Sequence, residues 1–297
     1  MQAETVFYLL LAIVVFDFGF NLWLKLLNAS WFDKAVPEVV ADVYDNEAYL
    51  KSQAYKKTNF KFGLFQYIFQ SILLIVFLSL DGFAWVNDWV YQFTESPLIA
   101  ALLFFGVLYA AQLILGIPFG YYQNFIIEER FGFNKSSLKL WLGDLLKSLL
   151  LSAIIGGGLL AIIFVIYEEL QTHFWWVAWL VFVGFSLFMN LFYSKLIVPM
   201  FNKQSPLEDG SLRDQINAYA QQVGFTLKNI FIIDGSKRST KANAYFSGFG
   251  NQKRITLYDT LIEKLEEEEI VSVLAHEVGH YQKKHIIYNI LISGITT

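Results

Sequence analysis

The chain has no cysteine and only four histidines, and only 16% of its 297 residues are charged, whereas 56% are hydrophobic. Without cysteine, neither a disulfide nor a thiolate-ligated zinc site can form. So little charge is unusual for a soluble domain, and several apolar runs reach about 20 residues, the length that crosses a bilayer. The composition therefore predicts a multi-pass membrane protein. The net charge of −4 gives no indication of nucleic acid, and no such partner is predicted.

Five apolar runs are long enough to be complete membrane spans. The first run lacks a clear small-residue cleavage site, so it is interpreted as an anchor rather than a cleavable signal peptide. Asp17 lies inside this first span, and the sequence does not decide between a functional role and hydrogen bonding between helices. The predicted spans are Thr5–Leu24, Phe62–Leu80, Leu98–Tyr121, Ser148–Tyr167 and Phe174–Ser194.

A sixth apolar run extends from Ile286 to Thr297. A helix of that length is too short to cross a bilayer. The run is therefore expected to be the start of a sixth span in a longer protein. The alternative is a short interfacial tail.

Basic residues alternate along the chain between successive connecting segments. The segments 28–61, 119–147 and 195–285 carry Lys and Arg, whereas 81–97 and 168–173 carry none. Basic loops stay on the cytoplasmic side of a membrane. The alternation predicts an N-terminus outside and a cytoplasmic segment 195–285.

Three of the four histidines lie within ten positions near the C-terminal end, in the pattern His276-Glu277-Val278-Gly279-His280. On a helix, residues four apart share a face, so both imidazoles can bind one Zn²⁺. The intervening Glu277 can act as general base on a water molecule. The alternatives are a chance occurrence of a short pattern and a structural zinc site, but a structural site would not need Glu277.

A catalytic zinc usually has three protein ligands. The metzincin pattern requires Gly and His where Lys283 and Ile286 stand, so it does not apply. His285 lies nine residues after His276, about 180° round an ideal helix, and is expected to face away from the metal as a surface or packing residue. The third ligand is therefore expected beyond Thr297, and the chain as given is expected to bind zinc weakly.

The soluble portion between the last span and the sixth run has the order helix, strands, zinc helix. Apolar residues recur at helical spacing from Leu212 to Val223, and a short β-type run covers Asn229–Ile233. Asn243–Gly248 and Arg254–Tyr258 are predicted to form a hairpin. We assign Asn243–Gly248 to an edge that pairs with an extended peptide substrate. The alternative is a buried structural hairpin.

The chain resembles the integral-membrane zinc metalloproteases of the CaaX prenyl protease type, the Ste24 group of the HtpX-like peptidases. The matching blocks follow one another in the expected order after the apolar runs. They are EERFGFNK at 128–135 with Trp141 and Asp144, VPMFNKQSPL at 198–207, RSTKANAYFSGFGNQKRITLYDTLI at 238–262 and VLAHEVGHYQKKH at 273–285.

The resemblance implies seven membrane helices around a large intramembrane chamber, with the zinc domain at its cytosolic end. It implies that His276 and His280 are zinc ligands, that Glu277 is the catalytic base, and that a downstream Glu is the third ligand. It also places Asn243 beside the scissile bond, and we extend the substrate site to Ala244 and Tyr245. The substrates would be proteins with a prenylated C-terminal CaaX sequence.

These observations together predict a mainly α, multi-pass membrane protein with a small α+β, zincin-like (gluzincin) domain. We expect a membrane domain at 1–197, a cytoplasmic metallopeptidase domain at 198–285 and a partial span at 286–297. The expected function is that of a zinc metalloendopeptidase with one Zn²⁺ per chain, acting on peptides in contact with membrane lipids. Alternatives are a quality-control protease and a non-catalytic scaffold or lipid-binding chamber with structural zinc. A bacterial inner membrane is favoured, and an endoplasmic-reticulum membrane stays open.

Overall fold

The computed structural model describes residues 2–30, 32, 34–36, 42, 45–224, 229–247, 254–285, 288 and 292. Within it the chain divides into two compact units, Met1–Phe131 and Gly132–Thr297. Each unit is described by itself. Of the predicted sixth run, only residues 288 and 292 lie within the described part of the chain. The predicted boundary between residues 197 and 198 stays a prediction.

The regular secondary structure in the described residues of the first unit is helical. Its helices are α1 (Ala3–Ala29), α2 (Asn46–Ser79), α3 (Gly82–Val90) and α4 (Pro97–Tyr121), and α4 continues as a π-helical segment, Tyr122–Glu128. Three of these helices are long and apolar enough to cross a membrane. They are α1, α2 and α4, which cover the first three predicted spans except for Leu80 at the end of the second.

Helix α2 is longer than the predicted span because it also includes a polar N-terminal half, which the apolar run does not cover. Its 34 residues extend for about 51 Å, whereas the apolar core of a bilayer is about 30 Å thick. Asp45 caps the helix, since its carboxylate accepts a hydrogen bond from the amide of Ala48 at 2.9 Å. The polar half therefore projects beyond the apolar half, which begins at Phe62.

Helix α3 was not predicted from the sequence. It begins after Asp81, which has a φ of 54°. A Cβ atom at Gly82 would lie 2.5 Å from Cδ2 of Phe77, so only glycine fits at this turn. Val86 and Val90 of α3 then pack on Ala100 of α4 in a small buried cluster.

The second unit begins with helices that are also apolar. Helix α5 (Leu138–Leu151) passes through a π-helical turn into α6 (Gly157–Leu170), and α7 (Phe174–Leu196) follows a short 3₁₀ turn. The stretch Leu138–Phe201 is long enough to cross a membrane and contains a segment apolar enough to do so. At 64 residues it is about 96 Å long as one helix, so it must contain more than one span. The break is at Gln171, which has a φ of 35°.

The triple glycine 156–158 could permit either close helix packing or a break in the helix. The backbone stays helical through it, with a π-helical turn ending at Gly156. Nothing lies within 4 Å of a Cβ atom added at any of the three glycines, so close packing is not observed within the described residues.

The soluble portion contains a four-stranded sheet with the order β1-β2-β4-β3. Its elements are α8 (Val198–Phe201), β1 (Gln204–Pro206), α9 (Ser211–Gln222), β2 (Asn229–Ile233), β3 (Ala244–Ser247), β4 (Arg254–Tyr258), α10 (Asp259–Ile262) and α11 (Glu267–Gln282). Strands β1 and β3 run antiparallel to their neighbours, whereas β2 and β4 are parallel. The predicted hairpin is present, because Ala244 pairs with Leu257 and Ser247 with Arg254.

One face of this sheet forms the core of the soluble portion. Ile230, Ile255 and Leu257 alternate onto that face and are almost completely buried. They pack against apolar residues of α9 and α11, such as Ile216 and Leu274. This packing holds α11 along the sheet and turns its other face outward.

Candidate active site

Helix α11 has an apolar inner face and a polar outer face. Ile270, Leu274 and Val278 are buried, and they recur every four residues along one side. His276 and His280 are exposed on the other side. The acidic residues 267–269 in the first turn suit the positive end of the helix dipole.

The two histidines are brought together as their spacing predicts. Nε2 of His276 lies 3.0 Å from Nε2 of His280. Two nitrogens that bind one tetrahedral Zn²⁺ lie about 3.3 Å apart, so a small side-chain adjustment fits them to the ion. Glu277 is half-buried between them in sequence. The residues present therefore fit a zinc site with an adjacent carboxylate.

No third histidine or carboxylate converges on the two Nε2 atoms within the described residues. His285 does approach, but from the other side of the His280 ring, with its Nδ1 atom 2.8 Å from Nδ1 of His280. His285 therefore lies on the side of the His280 ring away from the paired Nε2 atoms, and the prediction that it faces away from the metal stays a prediction. Helix α11 ends at Gln282 and Lys284 has a φ of 57°, so the chain turns back instead of continuing an ideal helix.

Strand β3 is an edge strand that packs against α11. Within the described residues, it pairs only with β4. This is the position that the proposed peptide pairing requires.

The three residues assigned to substrate binding have different surroundings. Asn243 is exposed, and its Oδ1 atom accepts a hydrogen bond from the amide of Ala244 at 2.9 Å. Ala244 is buried in the core, so its side chain is not available to a substrate. Tyr245 is half-buried on the opposite face of the sheet. Only Asn243 therefore presents an exposed side chain, and the other two offer main-chain groups of β3.

The face of the sheet opposite the core is polar and also largely buried. Arg254 is only 8% exposed, with its guanidinium carbon 3.5 Å from the ring centre of Phe231. Burial lowers the pKa of Arg254 and raises the pKa of Tyr245. Within the described residues, the Tyr245 hydroxyl and the Thr256 hydroxyl opposite it have no hydrogen-bond partner. Tyr245 is therefore a neutral phenol at physiological pH.

Comparison with known proteins covers nearly the whole chain. Residues 25–203 match the family described as CAAX prenyl protease N-terminal, five membrane helices, and residues 206–297 match peptidase family M48. The chain belongs to peptidase family M48. Its membrane helices, soluble sheet and α11 are thus those of a membrane metallopeptidase family.

Individual relatives agree with this assignment. CAAX prenyl protease 1 of Saccharomyces cerevisiae is 38% identical over 88% of the chain, and the homologue in Arabidopsis thaliana is 35% identical over 94%. The chain spans 60% of the length of the yeast relative. The crystal structure of S. mikatae Ste24p superposes with a TM-score of 0.91 over the whole chain and 71% of that protein, at 34% identity.

An ionic cluster in this M48 chain was not predicted as a unit, although Asp144 and the loop at 238 were among the matching blocks. Arg238 Nη2 lies 2.7 Å from Asp144 Oδ2 and donates to the carbonyl oxygen of Phe201 at 2.8 Å. Lys147 and Lys237 donate to the carbonyl oxygens of Met200 and Phe201. The cluster links α5, the α7–β1 connection and the loop that leads to Asn243. The charged residues of this cluster are visible in the sequence, but the sequence does not show which of them pair with one another.

Proposed function

We propose that this protein is an integral-membrane zinc metalloendopeptidase that removes the C-terminal tripeptide from prenylated proteins. The observation that carries the proposal is the pair of exposed imidazoles on α11, 3.0 Å apart, with Glu277 between them in sequence and the edge strand β3 packed against α11. The names of the relatives supply the substrate class. The proposed metal is zinc because paired imidazoles are among its usual ligands in such sites.

His276 and His280 would hold the ion through their Nε2 atoms. When bound, zinc lowers the pKa of water and polarises the scissile carbonyl. Glu277 accepts the proton of the attacking water at a carboxylate oxygen and later gives it to the leaving amine nitrogen. The main chain of β3 aligns the substrate as an added strand, and the exposed amide of Asn243 contacts the peptide next to the cleaved bond. The identity of the third ligand stays a prediction.

The test replaces Glu277 by Gln and measures release of the tripeptide from a farnesylated CaaX peptide. Turnover should fall by about 10²–10⁴-fold, the usual contribution of a general base. Glu268→Gln is the matched control, because Glu268 is exposed two turns earlier on the same helix. Normal turnover by Glu277→Gln would exclude the mechanism, whereas no turnover by the wild type would favour the scaffold with structural zinc.

The alternation of basic segments supports an orientation with the N-terminus outside and the soluble portion in the cytoplasm. Under this orientation β3 and α11 face cytosolic substrates, while the apolar helices contact the membrane lipids. Whether the membrane is a bacterial inner membrane or the endoplasmic reticulum stays a prediction.

A further inference from the structure

A cavity of about 700 Å³ lies in the first unit between α2 and the end of α4. We call it the α2–α4 cavity. Its lining divides into a polar part and an apolar part, and no carboxylate belongs to it within the described residues. The lining comprises Thr58, Lys61 and Arg130, together with the apolar residues Phe62, Phe65, Pro118, Phe119, Tyr122 and Ile127.

The polar part of the cavity carries two positive charges that are not neutralised. Lys61 and Arg130 are both exposed, and neither forms an ion pair within the described residues. The Arg130 guanidinium carbon lies 5.8 Å from the ring centre of Phe131. The nearby acid Glu128 is already engaged, because it accepts hydrogen bonds from Tyr55 and Gln123. An anionic ligand therefore has two free cations to bind.

The apolar part is a wall of aromatic rings. The Phe62 ring lies 4.9 Å from the Tyr122 ring, and the Phe65 ring lies 6.1 Å from the Phe119 ring. Phe65 remains 60% exposed although it belongs to a cavity wall. Covering such an apolar surface with a hydrocarbon chain lowers the free energy of the system.

The order of the two parts follows membrane depth. Lys61 immediately precedes the apolar half of α2, and Arg130 follows the apolar helix α4 and its π-helical extension. The cations therefore lie at the same membrane boundary, and the aromatic wall runs from them into the apolar region. A phospholipid has this arrangement, with its phosphate at the boundary and its acyl chains within.

The backbone of α4 departs from regular geometry at this cavity. Pro118 has no amide hydrogen, so the bond to the carbonyl oxygen of residue 114 is missing. The π-helical segment Tyr122–Glu128 follows four residues later. Segments of this kind are uncommon and are frequently found at functional sites. The irregularity places Tyr122 and Ile127 in the lining.

We propose that the α2–α4 cavity binds one anionic phospholipid, with its phosphate between Lys61 and Arg130 and an acyl chain along Phe65 and Phe119. The proposal does not depend on peptidase activity. A bound lipid would fix α2 against α4, since it contacts both helices.

Native mass spectrometry of the purified protein tests this proposal. Palmitoyl-oleoyl phosphatidylglycerol and the matching phosphatidylcholine are each titrated into the detergent solution. The wild type should bind the anionic lipid at least several-fold more tightly. The double variant K61Q/R130Q should bind it roughly 25-fold more weakly, about fivefold for each basic residue lost, with phosphatidylcholine binding unchanged.

The control is K51Q/K56Q, which removes the same charge from exposed positions of α2 outside the cavity. It should bind phosphatidylglycerol as the wild type does. Equal losses in both double variants, or no lipid preference in the wild type, would overturn the proposal. Displacement of phosphatidylglycerol by a farnesylated peptide at lower concentration than by a second lipid would also overturn it, because the cavity would then be a substrate site.

Discussion

At the scale of single residues, the zinc-binding pair was predictable and its surroundings were not. His276 and His280 share a face because helical periodicity is a local property. His285 could not be placed in the same way, since a left-handed residue at 284 redirects the chain. That position is not glycine, so the sequence carries no signal for it.

His285 should act on zinc affinity through His280. A ligating imidazole usually gives its second N–H to an acceptor, which fixes the tautomer of the ring. The contact of 2.8 Å between the two Nδ1 atoms places His285 as that acceptor. His285→Leu should lower zinc affinity about 10–100-fold in competition with a chelator.

His285→Asn is the matched control, because its Oδ1 atom takes the place of the lost Nδ1 atom. This variant should recover most of the affinity. Equal affinities of the wild type and His285→Leu would show that the contact has no role in metal binding.

At the scale of elements, apolar runs and alternation predict the helices and the hairpin. They do not predict the turns and long-range contacts that connect these elements. Helix α3 depends on a close contact of Gly82 with Phe77, which no periodicity shows. The parallel pairing of β2 with β4 and the pair formed by Asp144 with Arg238 join distant parts of the chain. Local patterns carry no information on such pairings.

The ion pair between Asp144 and Arg238 should be important for the stability of the second unit. The two side chains are 20% and 22% exposed, so Arg238→Gln leaves a carboxylate largely desolvated. The variant should lose about 2–3 kcal/mol of unfolding free energy, less than for a fully buried pair. The double variant D144N/R238Q should lose less than the two single losses added together, as a double-mutant cycle in denaturant would measure.

Arg213→Gln is the control, since its partner Asp209 is 96% exposed and such pairs contribute little. Strictly additive losses at positions 144 and 238 would contradict the account of the ionic cluster.

At the scale of the whole molecule, composition alone predicts the membrane class, and four matching blocks predict the family. The low charge and long apolar runs exclude a soluble enzyme. The division of the chain after Phe131 was not predicted, because EERFGFNK reads as one continuous block across it. The two compact units are defined by contacts between residues, and a linear sequence pattern does not contain that information.

The orientation can be tested with single cysteines, because the native chain has none. Glu95→Cys and Ser272→Cys place thiols at exposed positions in a segment without basic residues and in α11. In sealed vesicles whose cytoplasmic face points inward, an impermeant maleimide should label position 95 at once and position 272 only after detergent is added. The reverse pattern would contradict the orientation.

Zinc content is the measurement that tests the central claim most directly. It should be determined by mass spectrometry on protein expressed from its complete reading frame and purified in detergent. The account predicts about one zinc per chain in the wild type and in Glu277→Gln, and loss of that zinc in His276→Ala and His280→Ala. Zinc retained in both alanine variants would contradict it, because the ion would then lie elsewhere.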